Sequence, residues 1–188
     1  MASVVSICNR ALTLLGGKLI TSLDDNLTEA KVMKAAFDDV RDAVLREAKP
    51  LCATFRASLV QTTAPAFGWD NAYQLPTDPY CLSVNQVNGL SNKSEWTVEG
   101  RKLLTNNGTA QIKYTGRVTD TGQLDPLVVT ALAARLAAET CYALTQNRAL
   151  SNDMWTLALS AKEDVLNADG MEQGSEIIEA TTFANARS

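Results

Sequence analysis

Histidine is absent from the 188 residues. That removes the commonest general base near neutral pH and the commonest ligand for zinc, copper or non-haem iron, and no Ser-His-Asp triad can form. Cysteine is sparse: Cys8, Cys52, Cys81 and Cys141 stand far apart, with no C-x-x-C pair to suggest a zinc site. The chain opens without a basic stretch followed by a long apolar run, so these thiols are expected to be reduced and mostly buried in a cytoplasmic product. Long apolar runs are also lacking. The most apolar segment, Leu127 to Leu144, is interrupted by Arg135 and Glu139, and no membrane span is expected. Nor is there an excess of positive charge. Seventeen Lys plus Arg against 21 Asp plus Glu leave a net charge of −4 without a run of either sign, which argues against a dedicated DNA or anionic-membrane binder.

What is present is apolar patterning, 46% of the composition, enough to build a core. Ser3 can cap a first helix in which Val4, Ile7, Cys8, Ala11, Leu12 and Leu15 recur at helical spacing before Gly16-Gly17 stops it. Asn26, with Glu29 three residues on, resembles a capping box for a second helix. Its stripe runs through Ala30, Met33, Phe37, Val40, Val44 and Ala48, with Lys31, Lys34, Asp38, Arg41 and Asp42 opposite. Pro50 predicts its end near Lys49.

From Leu51 to about Thr119 short β-prone runs alternate with Gly, Pro and Asn. Leu82-Ser83-Val84, Trp96-Thr97-Val98 and Ala110 to Tyr114 alternate apolar with polar residues, and Glu99-Gly100 and Asn106-Asn107-Gly108 supply turns. Antiparallel meander pairing follows, in a sheet small enough to need a helix or neighbouring subunit over its apolar face. Asp125-Pro126 then opens a third helix that is apolar almost all round and therefore central. Ser151 is the expected cap of a fourth, carrying Met154, Trp155, Leu157, Ala158, Ala161, Val165 and Leu166 and closed by Gly170.

The expected fold is α+β, mainly α: a four-helix bundle from residues 1–50 and 120–169, an inserted small antiparallel β region at 51–119, and an extended C-terminal arm at 170–188. The arm has two glycines and few apolar anchors, which suits a segment ordered by a partner.

Reactive constellations are weak. Asp24-Asp25, Asp38-Asp39 and Asp42 are the tight carboxylate groups, and solvated surface is the favoured reading over acid-base work or metal binding. Ser6, Ser58 and Ser83 sit in no nucleophile elbow, and Gly16-Gly17-Lys18 follows a helix and lacks phosphate-loop spacing. Trp69, Tyr73 and Trp96 could stack bases, but no basic residue lies between Phe67 and Tyr80 to guide a backbone. They are assigned to packing of the β region or a subunit interface, and Trp155 to the stripe of its helix. Neither metal, cofactor nor enzymatic activity is expected.

Several segments together resemble the head-to-tail adaptors of short-tailed phages, also called tail tubular protein A, and the related connector proteins. They are Ile7-Cys8-Asn9-Arg10-Ala11-Leu12 to Leu15-Gly16, then Ile20 to Leu23, Phe67-Gly68-Trp69 leading into Ala72 to Asp78, Trp96 with Val98-Glu99-Gly100, Ile112-Lys113-Tyr114, and Leu124-Asp125-Pro126-Leu127. The likeness spans roughly residues 4–165 and lies in the order of short structural motifs. Leu51 stands where many members carry tryptophan, and the tail after Gly170 has no residue-by-residue match.

This resemblance implies a virion structural protein in the tail or neck, assembled in the host bacterial cytoplasm. It would form a homo-oligomeric ring, usually of twelve copies, joining the portal to the distal tail nozzle, with DNA passing through the channel without specific binding. It further implies that the C-terminal arm clasps the portal, and Ile177, Ile178 and Phe183 are the portal-binding residues expected there. An acidic or neutral channel wall is expected from the net charge. Two other classes fit the composition: a helical scaffold or interaction domain unrelated to phages, and a tail-associated cell-wall hydrolase, against which the missing histidine and the lack of a paired-carboxylate site count.

Overall fold

A computed structural model of the chain describes residues 2–91 and 94–172. The described residues form α1 (Val4–Leu15), α2 (Thr28–Ala48), seven strands, then α3 (Pro126–Thr145) and α4 (Arg148–Glu172). The strands are β1 (Thr54–Ser58), β2 (Gln61–Thr62), β3 (Asn71–Gln74), β4 (Cys81–Val87), β5 (Trp96–Glu99), β6 (Lys102–Thr105) and β7 (Gln111–Gly116).

Local chemistry sets most helix ends. Ser3 and Ser6 form a reciprocal capping box at α1, and Gly16 ends it in the left-handed region at φ 66°, where a Cβ would be strained. Lys49 ends α2 before Pro50, and the Asp125 carboxylate caps α3 through the Leu127 amide with Pro126 at the first position. Other signals are realised differently. Asn26 does not cap α2, which begins after Leu27 without a side-chain cap, and its amide oxygen instead accepts from Lys31 Nζ at 2.7 Å. Helix α4 starts earlier than Ser151, with Asn147 Oδ1 accepting from the Leu150 amide, and it runs through Gly170 to Glu172. One glycine costs a helix only about 1 kcal/mol, so Gly170 need not be the last helical residue.

The expectation of a four-helix bundle with an inserted small antiparallel β region and an extended arm is overturned. The β portion is two antiparallel sheets, ordered β1-β7-β4 and β2-β3-β6-β5, and the two faces enclose an apolar core of their own: Tyr73, Leu75, Cys81, Val84, Val87, Trp96, Leu103, Ala110, Ile112 and Tyr114. The chain crosses between sheets repeatedly, so β1 pairs with β7 across more than fifty residues and the meander is not formed. Each sheet covers the other, and the apolar face needs no helix above it. The helices are not a four-cornered bundle either. Helix α3, apolar all round, is the axis on which α1, α2 and α4 each pack. It has the length and hydropathy of a membrane span, yet it lies in the core, with ten of its residues buried. Residues 170–172 belong to α4, and the rest of the expected arm, with Ile177, Ile178 and Phe183, lies outside the described residues.

Both cores meet at Phe55, which packs against each, and Leu82 reaches the helical one. Polar contacts lock this junction. Arg41, only 6% exposed although the pattern places it on the solvent face of α2, lies between Asp38 at 2.8 Å and Asp42 at 3.0 Å. Asp42 also accepts from Arg117, just beyond β7, and Arg46 donates to the carbonyl of Leu82. Burying a guanidinium is tolerable only with such partners.

Candidate interaction surfaces

Of the carboxylates singled out in the sequence, Asp24, Asp25, Asp38 and Asp42 hold local structure, and Asp39 is exposed. Asp24 pairs with Lys34 at 2.6 Å. Asp25 accepts from the amides of Thr21 and Ser22, and these bonds hold its carboxyl below the usual range. Asp38 and Asp42 serve Arg41 and Arg117. Among the described residues no three His, Cys, Asp or Glu side chains gather as metal ligands. All four cysteines are free thiols. Burial pushes Cys8 up to about 11 and raises Cys52 and Cys81 as well, so these thiols stay protonated and weakly nucleophilic near neutral pH.

The three aromatic residues of the β region part company. Tyr73 and Trp96 lie in the sandwich core, the Tyr73 hydroxyl donating to the carbonyl of Asn107 at 2.9 Å. The buried indole N–H of Trp96 has no partner among the described residues. Trp69 is half-buried on the β2–β3 loop, outside that core. Trp155 is also half-buried, with the Arg135 guanidinium 4.6 Å from its ring centre.

A cleft of about 550 Å³ lies between the end of α2 and the sandwich, lined by Arg46, Tyr80, Trp96 and Arg101. Its cations are already engaged. Arg101 donates to the carbonyls of Cys81 at 2.8 Å and Pro76 at 2.5 Å and lies over the Tyr80 ring at 3.9 Å, so the guanidinium fastens the wall.

Unsatisfied surface is found elsewhere. In α4 only Ala158, Ala161 and Val165 are buried, while Leu157, Leu159, Leu166 and Met171 are exposed, Met171 to 87%. The sequence stripe included Leu157 and Leu166 with the core residues. Their angular distance from Ala158, Ala161 and Val165 on a 3.6-residue wheel was the signal that they face outward. On the sandwich, Phe67 in the β2–β3 loop is 87% exposed, and Val60, just before β2, is exposed too. A contiguous exposed apolar patch marks a surface for another protein, whereas single apolar side chains in water are ordinary, so the run along α4 is the stronger of the two signals.

The outer face of the β1-β7-β4 sheet is polar. Arg56 and Lys113 are register partners there, flanked by Ser58, Gln86 and Gln111 around a recess of about 320 Å³. Lys49, at the end of α2, shares with Lys113 an adjoining recess of about 230 Å³. No protein-family model matches the chain, and no curated protein sequence matches it.

Proposed function

We propose that this chain is a head-to-tail adaptor of a tailed phage: a non-enzymatic virion protein that forms a ring, usually of twelve copies, between the portal and the distal tail nozzle. The observation that carries the reading is the distribution of exposed apolar side chains, along α4 and in the β2–β3 loop, on two parts of one small chain. A subunit held in a ring and joined to a further component needs more than one such surface. The order of motifs from Ile7 to Leu127 supports the same family. Ile177, Ile178 and Phe183 remain the proposed portal anchors. The work is mechanical, with DNA passing a wall from which net-negative subunits repel phosphate.

The test is co-assembly with the cognate portal viewed by electron microscopy. A discrete ring seated under the portal is the expected result, and loss of that ring on deleting residues 173–188 is expected if the anchors lie there. Absence of the protein from purified particles, or turnover of peptidoglycan by the purified chain, would sink the proposal.

A further inference from the structure

Arg56 on β1 and Lys113 on β7 stand directly opposite each other in the sheet register. Like charges placed so are destabilising. Ordinarily a carboxylate nearby offsets such a pair, but Arg56, Lys113 and Lys49 have no ion-pair partner among the described residues, and no carboxylate lines either recess they share. Three cations from three elements thus converge on a polar face with nothing in the described chain to neutralise them.

The complement is on the same chain. Asp153, Leu157, Ser160, Asp164 and Met171 follow one another at steps of three, four and seven residues, forming one exposed stripe along a flank of α4, beside the buried line of Ala158, Ala161 and Val165. Asp153, Asp164 and neighbouring Glu163 have no ion pair among the described residues. The asymmetry extends to whole segments. Residues 54–119 hold six Lys or Arg against four Asp or Glu, whereas 120–172 hold three against eight.

We infer that the outer face of the β1-β7-β4 sheet docks the acidic outer stripe of α4 from a second copy of this chain. This names the contact between copies within the adaptor reading, and so rests on it. Two different patches that complement each other give a head-to-tail interface, which generates a ring when the rotation closes. Leu157 and Met171 supply the apolar contact, and the charges set orientation and register. A nucleic acid is the weaker candidate occupant. The sheet face offers no aromatic ring for a base, and the net charge of −4 repels a polyanion at long range, while it leaves the polarised copies free to attract end to end.

The full-length chain is followed by sedimentation over a concentration series at low and high salt, with carbodiimide cross-linking of the associated species. Salt-sensitive association is expected, with Lys49 or Lys113 joined to Asp153, Glu163 or Asp164 in the dimer band. Arg56→Glu/Lys113→Glu should weaken association about tenfold or more, and adding Glu163→Lys/Asp164→Lys to the same chain should restore it. Unfolding curves of all variants that superimpose show the loss is one of docking. Association that is indifferent to the first pair of changes overturns the inference, as does a chain that stays monomeric both alone and with a portal. Retention of a DNA duplex that the Arg56→Glu/Lys113→Glu change abolishes would give the patch to nucleic acid and overturn it too. Rings on the portal that survive the reversal sink this interface and leave the adaptor standing. Reversible association rescued by the double swap, with no portal binding, keeps the interface and sinks the adaptor.

Discussion

Alanines 131, 133, 134, 137 and 138 line the core around α3, whereas Tyr73, Trp96 and Tyr114 fill the core of the sandwich. Small residues let three helices approach a fourth closely, so cohesion there is spread over many short contacts. Two short-stranded sheets about 10 Å apart leave a space that a few large side chains must span. The helical core should therefore suffer most from added volume, and the sandwich from removed volume.

The largest expected effect tests the second half of that contrast. Trp96→Ala should cost about 3–5 kcal/mol in urea unfolding, the usual range for emptying a buried aromatic site. Trp96→Phe should cost about 1 kcal/mol or less, because the change also removes an indole N–H buried without a partner. Equal costs for the two would show that the N–H is satisfied and the ring is not the spacer. In the helical core, Ala137 is wholly buried, and Ala137→Leu should cost about 2 kcal/mol by forcing α3 from its neighbours. A neutral result there would refute close packing as the source of cohesion.

A further contrast is confined to alkaline pH. Each core holds a buried thiol raised above 9.0, Cys8 among the helices and Cys81 in the sandwich. Such a thiol stays protonated in the fold while the unfolded chain ionises, so its contribution is intact below pH 9 and is lost as pH climbs. Arg101 and Arg46 stabilise the Cys81 thiolate in part, whereas Cys8, at about 11, has no such cation. Cys8→Ala should thus flatten the fall in the urea midpoint between pH 9 and 11 more than Cys81→Ala does. The reverse order would mean that the arginines do not face Cys81. Smaller again is the junction. Arg117→Gln should cost about 1 kcal/mol, since Arg117 is partly exposed and Arg41 remains on Asp42. If the two cores then melt separately, their cooperativity runs through that ion pair; a single transition leaves it to Phe55, Leu82 and the Arg46 bond.

How much of this the sequence disclosed depends on the range of each signal. Ser3, Gly16, Pro50 and Asp125-Pro126 act within one turn of their own position, and the helix ends follow them. Ser151 carries the same chemistry, but Asn147 caps α4 a turn earlier; Asn26 caps nothing, because α2 begins after Leu27 and the Asn26 amide oxygen accepts from Lys31. The pairing of β1 with β7 leaves no local mark, because strand partners are chosen by which apolar faces meet after collapse. For that reason the short runs around Leu82, Trp96 and Ile112 disclosed strands but not two sheets. The candidate surfaces were legible only in part: Leu157 and Leu166 look like core residues until the burial of Ala158, Ala161 and Val165 fixes which side of α4 faces in.

The smallest effect on folding has the sharpest bearing on the comparison, because α4 belongs to the helical core on one side and to nothing in the described chain on the other. Leu159 and Leu166 sit a heptad apart on an exposed flank, and Met171 lies near the end of the helix. Residues already in water when the chain is folded lose little by becoming polar, so Leu159→Ser and Met171→Ser should each shift stability by no more than about 0.5 kcal/mol. If α4 only completes the helical core, those changes should also leave association untouched. If the stripe through Leu157 and Met171 is held by another copy, Met171→Ser should weaken co-assembly with the portal while Leu159→Ser, on the opposite flank, leaves it intact, and both melting curves stay where they were. A large loss of stability from either change would show that the leucines and the methionine are packed after all, and that the helical core extends around the whole of α4.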